Sequence, residues 1–267
     1  MLSEARLFLA VARRSFRRQL TYRAAALAGL VTNVFFGLLR VSVLVALFGG
    51  RSGVAGYTLA DAVSYTGLTQ ALIMVLSLFG WFDLMRTVTT GEVAGDLLRP
   101  MSLFRFWLAQ DAGRAAAQFG LRGLSILVLY ALLFGLKLPQ GVVGWALTLL
   151  SLILAWYLGF AFRFLVNLAA FWSPDAIGIG RFAFTVLMFA SGFLMPLRFF
   201  PEGVQAACAL TPFPSMLNTL VEVWLGVAKG TAALTLIGVQ LAWSVALTGL
   251  CSWVLALGTR RLVVQGG

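Results

Sequence analysis

Apolar residues run in long blocks along this chain, and the polar stretches between them are short and rich in arginine. Six blocks reach the roughly 20 residues needed to cross a hydrocarbon core: residues 24–48, 59–82, 116–136, 142–172, 177–197 and 231–258. They predict an all-α integral membrane protein with six transmembrane helices, because a transmembrane barrel would show only weak alternation over segments of about ten residues. The fourth block is longer than one crossing requires, so its helix is expected to tilt, kink or project. The polar loops are too short for a second domain, which leaves one membrane domain of three parts: residues 1–23, a core over 24–258 and a tail over 259–267.

The first part follows a different period. At about 100° per residue, Ala5, Phe8, Leu9, Ala12, Phe16 and Leu20 gather on one face and Arg6, Arg13, Arg14, Arg17 and Arg18 on the other. This pattern predicts an amphipathic helix in the headgroup plane, acting either as an anchor or as a transmitter of movement into the first span. Arginines interrupt its apolar positions and no small-residue cleavage site follows, so it does not read as a signal peptide.

The fifth block ends in Ser191-Gly192-Phe193-Leu194-Met195-Pro196-Leu197-Arg198-Phe199-Phe200-Pro201. Pro196 and Pro201 remove backbone donors, so the helix is expected to stop here. Residues 200–230, interrupted by Pro201, Pro212 and Pro214, are too broken for a span and too apolar for a solvated loop. Short re-entrant or interfacial helices fit them, forming either a fixed plug or a moving gate.

Between the second and third blocks lies Thr89-Thr90-Gly91-Glu92-Val93-Ala94-Gly95-Asp96-Leu97-Leu98-Arg99-Pro100. Thr89 followed by Glu92 fits a capping box, and Pro100 discourages helix at Arg99, which predicts a helix of about two turns over residues 90–98. Val93, Leu97 and Leu98 offer it an apolar stripe. So short a helix is marginal alone, so it is either an interfacial connector or is held by a neighbouring surface.

Composition agrees with the blocks: 61% of residues are hydrophobic and 11% charged, against about 25% charged in soluble domains. The net charge of +11 follows the loops rather than marking a nucleic-acid partner. Arg6 to Arg23, then Arg86, Arg99, Arg105, Arg114, Arg181, Arg260 and Arg261, fall on one side of the six spans, and only Arg51, Lys137, Arg198 and Lys229 on the other. The positive-inside rule then predicts two cytoplasmic termini in a bacterial plasma (inner) membrane, with the basic side also drawn to anionic lipid.

The chain has no histidine, its nine acidic residues form no close pair within a predicted span, and Cys208 and Cys251 suggest neither a disulfide nor a metal site. A phosphate loop ending in Gly-Lys-Ser/Thr is also missing. Acid/base catalysis and ATP binding by that route are disfavoured, and no cofactor or metal is expected in this chain. Polar side chains inside the spans are costly and therefore candidates for function. They are Asn33 and Arg40 in the first, Gln70 in the second, Arg163 and Asn167 in the fourth, and Gln240 in the sixth. Snorkelling would accommodate Arg40 and Arg163. Asn33, Gln70 and Asn167 suit interhelical hydrogen bonds as well as a substrate path.

The basic amphipathic start, the six blocks, the Gly91 to Pro100 segment and the Ser191 to Pro201 stretch followed by Pro212-Phe213-Pro214 occur in this order over nearly the whole chain. In this the chain resembles the permease subunits of type-2 ABC exporters, more narrowly the branch of uncharacterised and viologen-exporter-like permeases. The resemblance implies that Glu92, Val93, Asp96, Leu97, Leu98 and Arg99 dock on a cytoplasmic ABC ATPase subunit, which would bind ATP and Mg. It implies a second permease, the same chain or a related one, and export of a lipophilic or amphiphilic substrate such as a drug or organic cation. It also favours a gate-like outer cap, with Gly192, Met195, Pro196, Pro201, Pro212 and Phe213 as candidates. An ion-coupled secondary transporter would call for an internal repeat and a midplane acid, and a lipid-modifying membrane enzyme for a nucleophile and base. Neither is evident in the chain.

Overall fold

The computed structural model describes residues 2–21, 23–173 and 175–261, and of residues 2, 3 and 23–26 only the backbone. The predicted tail therefore lies mostly outside the described residues, beginning at residue 262. Among those described the chain is helical, with one isolated antiparallel bridge between Val54 and Tyr57. The helices are α1 (Leu2–Thr21), α2 (Arg23–Phe48), α3 (Leu59–Leu72), α4 (Asp83–Thr89), α5 (Val93–Leu97), α6 (Leu103–Gln118), α7 (Leu124–Phe134), α8 (Gly141–Asn167), α9 (Ala176–Ala190), α10 (Glu202–Ala209), α11 (Phe213–Met216), α12 (Asn218–Leu225) and α13 (Thr231–Thr259).

Four stretches are long and apolar enough to cross a membrane: Leu27–Phe48, Leu103–Phe134, Gly141–Phe171 and Thr231–Thr259. The chain is a multi-pass membrane protein. In the second of these stretches α6 and α7 are joined through a π turn at Phe119–Gly123. That helix starts well before the predicted residue 116, because Ser102 caps it by accepting from the Arg105 backbone N–H. In the third, α8 tightens into a 3₁₀ turn at Leu168–Phe171.

The second and fifth blocks are not single full-length helices. α3 stops at Leu72, and the chain passes through turns at residues 73–79 before α4 begins. Ser77 and Gly80 take positive φ in this stretch, and Gly80 leaves room for the Phe184 ring, which a Cβ would meet at 2.5 Å. α9 has 15 residues, about 22 Å of helix against a core of about 30 Å. It ends where Gly192 turns left-handed at φ 79°, as the Gly and Pro content of that stretch predicts.

α3 is buried at every position from Asp61 to Leu72, and it starts with a full capping box between Thr58 and Asp61. It packs against α2, α7 and α12, while α8 packs against α12 and α13. One end of the bundle gathers α4, α5, the end of α8 and the end of α13, where Gly258 lies against Phe171. The other end gathers α10 to α12 and the starts of α8 and α13.

α1 lies along the length of α6 in parallel, with Glu4 paired to Arg105, Ser15 bonded to the Gln110 carbonyl and Gln19 to Gln118. Its surface divides into three sectors rather than two. Phe8, Val11 and Ser15 meet the bundle with Arg14 and Arg18 at the edge towards the elbow, Leu9 and Phe16 stay exposed on the opposite flank, and Arg6, Arg13 and Arg17 face away. The approach is closest at Gly113, where a Cβ would lie 2.0 Å from the Ala12 carbonyl oxygen.

Candidate coupling site

The polar segment after α4 forms an elbow, and its capping differs from the expectation. Thr89 and Thr90 finish α4 instead of starting a new helix, because their hydroxyls donate back to the Arg86 carbonyl at 2.9 and 3.0 Å. Gly91, at φ 79°, reverses the chain. The helix that follows is a single turn, Val93–Leu97, and the Glu92 side chain makes no capping bond to it.

The apolar stripe is split as well. Val93 is fully enclosed in the core, whereas Leu97 is 37% and Leu98 88% exposed. Asp96 is buried and pairs with Arg99 at 3.0 Å, and the Arg99 guanidinium sits 4.3 Å over the Phe106 ring. The elbow is thereby fastened to α6 on one side and presents Glu92, Ala94, Leu97 and Leu98 on the other.

Behind the elbow the broken helix is stitched to its neighbours by side chains. Its free backbone groups lie among apolar residues, where each must find a partner. Arg114 donates to the Met74 and Val75 carbonyls at 2.6 and 2.8 Å. Asn167 accepts from the Met85 backbone N–H at 2.8 Å and donates to the carbonyls of Trp81 and Arg163. Asp111 joins the two halves: its carboxylate receives both terminal nitrogens of Arg163 at 3.0 and 3.1 Å, Arg114 Nε at 2.8 Å and Trp156 Nε1 at 2.8 Å.

Arg163 is completely buried, so it does not snorkel as expected. A membrane charge of this kind is tolerated because Asp111 neutralises it and the Gly159 carbonyl takes its remaining Nε proton. Asp111 and Arg114, which lie before the predicted third block at residues 116–136, are the missed members of this site. Their signal was an acid and a base one turn apart inside an otherwise small and apolar helical run.

The opposite end is tied by a second polar cluster. Glu222, buried on α12, accepts from Arg198 Nε and Nη2 at 2.9 and 3.0 Å, from the Tyr57 hydroxyl at 3.2 Å and from Asn218 Nδ2 at 3.3 Å. Burial, with the Glu222 carboxylate alongside, pushes the Tyr57 phenol well above its ordinary value, while the bond to Glu222 raises the Arg198 guanidinium. The Tyr65 hydroxyl lies 2.7 Å from the Gly192 carbonyl and 3.0 Å from Asn218 Oδ1, and Asn218 also accepts from the Leu197 backbone.

Gly192 and the Pro196–Leu197 turn therefore belong to this cluster, and Phe213 stacks edge-on against Phe162. Met195 and Pro201 are exposed and Pro212 half-buried. Tyr57, Tyr65, Asn218 and Glu222 were not picked out from sequence, since none sits in a motif.

The remaining polar candidates are scattered. Arg40 donates to the Phe193 carbonyl at 3.0 Å and lies 4.1 Å over the Phe193 ring. Gln70 is buried close to Gly37. Asn33 Nδ2 is buried with no acceptor among the described residues. Gln240 donates to the Ser215 carbonyl and accepts from Ser151, fixing α11 between α8 and α13.

No curated protein and no solved structure matches the chain. The sequence model of the ABC-2 family transporter proteins matches residues 34–266. Those residues hold the elbow, the stitched helix break and the capped opposite end. A family whose members are membrane permease subunits of ABC transporters, generally non-catalytic and partnered by an ABC ATPase subunit, thus accounts for most of the length, and the chain belongs to the ABC-2 transporter family.

Proposed function

We propose that the elbow formed by α4 and α5 is the place where the ATPase subunit docks. The observation that carries this reading is the division of one helical turn into a locked side and a free apolar side, Val93 enclosed and Leu98 88% exposed. A push on Leu97 and Leu98 would pass through Arg99 and Phe106 into α6, and through Asn167 and Met85 into α8. The elbow then lies in the cytoplasm of a bacterial cell with both termini on that side, and α10 to α12 cap the outer end.

In this reading ATP and Mg are bound by the partner. A second permease, the same chain or a related one, completes the path, and a lipophilic or amphiphilic molecule leaves outward, an organic cation if the chain is of the viologen-exporter-like branch. The cap around Gly192 and Phe213 acts as the outer gate, and Asn33, whose amide donor meets no acceptor among the described residues, is a candidate lining residue. Co-purification tests the docking. Leu98→Glu is expected to abolish recovery of the ATPase with an otherwise folded permease. Intact assembly with undiminished substrate-stimulated ATP hydrolysis would overturn it.

A further inference from the structure

A cavity of about 350 Å³ opens between α1, the elbow and α6. Arg14 and Arg18 of α1 line it together with Arg99, Asp96, Trp107 and Gln110. Three guanidinium groups thus face one carboxylate, and that carboxylate is already paired with Arg99. Among the described residues no carboxylate lies within ion-pair distance of Arg14 or Arg18.

A second observation points to a ligand independently of the charge. Trp107 is 6% exposed, and its buried Nε1 has no acceptor among the described residues. The same side chain lines a smaller cavity of about 50 Å³ that also shares Ser15, Arg18 and Gln110 and reaches the Asp111–Arg114 pair. A buried donor without an acceptor is uncommon in folded proteins and calls for a missing partner.

We infer that this cavity binds a phosphate ester, with Arg14, Arg18 and Arg99 holding its oxygens and Trp107 Nε1 donating to one of them. Guanidinium forks match phosphate geometry and form the stronger, charge-assisted class of hydrogen bond. Val11 and Phe106, which also line the cavity, provide an apolar surface for acyl chains when the phosphate is a lipid headgroup. A free phosphate shares the same chemistry without that surface. In either case the occupant bridges the amphipathic helix to the elbow.

The test uses the purified full chain in phosphatidylcholine nanodiscs, in discs that also contain phosphatidylglycerol, and in phosphatidylcholine discs with added inorganic phosphate. Lipid retention by native mass spectrometry and the melting temperature are read in each. Phosphatidylglycerol is expected to be retained and to raise the melting temperature. Arg18→Gln should weaken retention roughly tenfold, and Trp107→Phe severalfold with the ring packing kept. Arg6→Gln with Arg13→Gln, on the face of α1 away from the cavity, should leave retention unchanged.

Stabilisation by inorganic phosphate equal to that by phosphatidylglycerol would support the site and identify its source as soluble. Equal losses in the Arg6/Arg13 control, or full retention in both Arg18→Gln and Trp107→Phe, would overturn the inference. The ATPase plays no part in this experiment, so its failure leaves the docking proposal standing.

Discussion

Asp111 and Arg163, from helices α6 and α8, form a two-pronged ion pair at 3.0 and 3.1 Å inside the bundle, with Arg163 completely buried. Arg163 is tolerable there because Asp111 neutralises it, and Asp111 is held by Arg114 as well. Asp111→Asn is expected to cost roughly 3–5 kcal/mol, since it leaves Arg163 buried and unneutralised. Replacing both, as Asp111→Leu with Arg163→Met, should recover part of that loss. Melting temperatures of the three variants in detergent check this, and a double variant no more stable than Asp111→Asn would contradict it.

Gly192 should tolerate no side chain. Its φ of 79° costs a residue with a Cβ about 1–2 kcal/mol, and that Cβ would stand 2.6 Å from the Tyr65 hydroxyl. Gly192→Ala is therefore expected to loosen the cap. Tyr65→Phe removes the hydroxyl that binds Gly192 and Asn218, at roughly 1–3 kcal/mol. Because the two changes act on one contact, the double variant should lose less than the sum of the singles, as measured by thermal denaturation.

The contact of α1 with α6 depends on the bare backbone at Gly113. A methyl group there would meet the Ala12 carbonyl oxygen at 2.0 Å and the Phe16 nitrogen at 2.9 Å. Backbone cannot yield as a flexible side chain does, so Gly113→Ala should cost about 1–3 kcal/mol and lift α1. Faster hydrogen exchange confined to residues 2–21 is the expected reading.

The two cysteines should label differently. Cys208, half-buried on α10, has its thiol pushed up by burial, so at neutral pH less of it is thiolate than in a free cysteine. Its reaction with a maleimide should accordingly be slow at pH 7 and rise by up to about tenfold per pH unit until the thiol titrates. Cys251 is fully buried in α13, where its Sγ donates to the Ala161 carbonyl at 3.2 Å, and should stay unlabelled in the folded protein. A membrane-impermeant reagent applied to intact cells also reads orientation, with Cys208 labelled from outside.

The long helices were legible because hydropathy reports them directly. The last block, read as residues 231–258, is the helix Thr231–Thr259, and the halt near Gly192 followed from Gly and Pro chemistry. The break after Leu72 was not legible, because residues 73–79 stay almost wholly apolar while their backbone leaves the helix. What permits that departure is Arg114, 40 residues from Met74 in sequence, satisfying carbonyls the helix no longer does. Thr89 misled in a similar way: a threonine before a glutamate fits a cap, yet its hydroxyl had a nearer acceptor in Arg86. Asp111 falls before the predicted third block and its partner lies on another helix, so no local pattern singled it out.

The most direct measurement is photo-crosslinking from single positions in membranes that contain the ATPase subunit. A crosslinking residue at Leu98, 88% exposed at the elbow, should capture the ATPase, and one at Leu210, 81% exposed at the opposite end, should not. Capture from Leu210 with none from Leu98 would contradict the assignment of the elbow as the site where the motor engages.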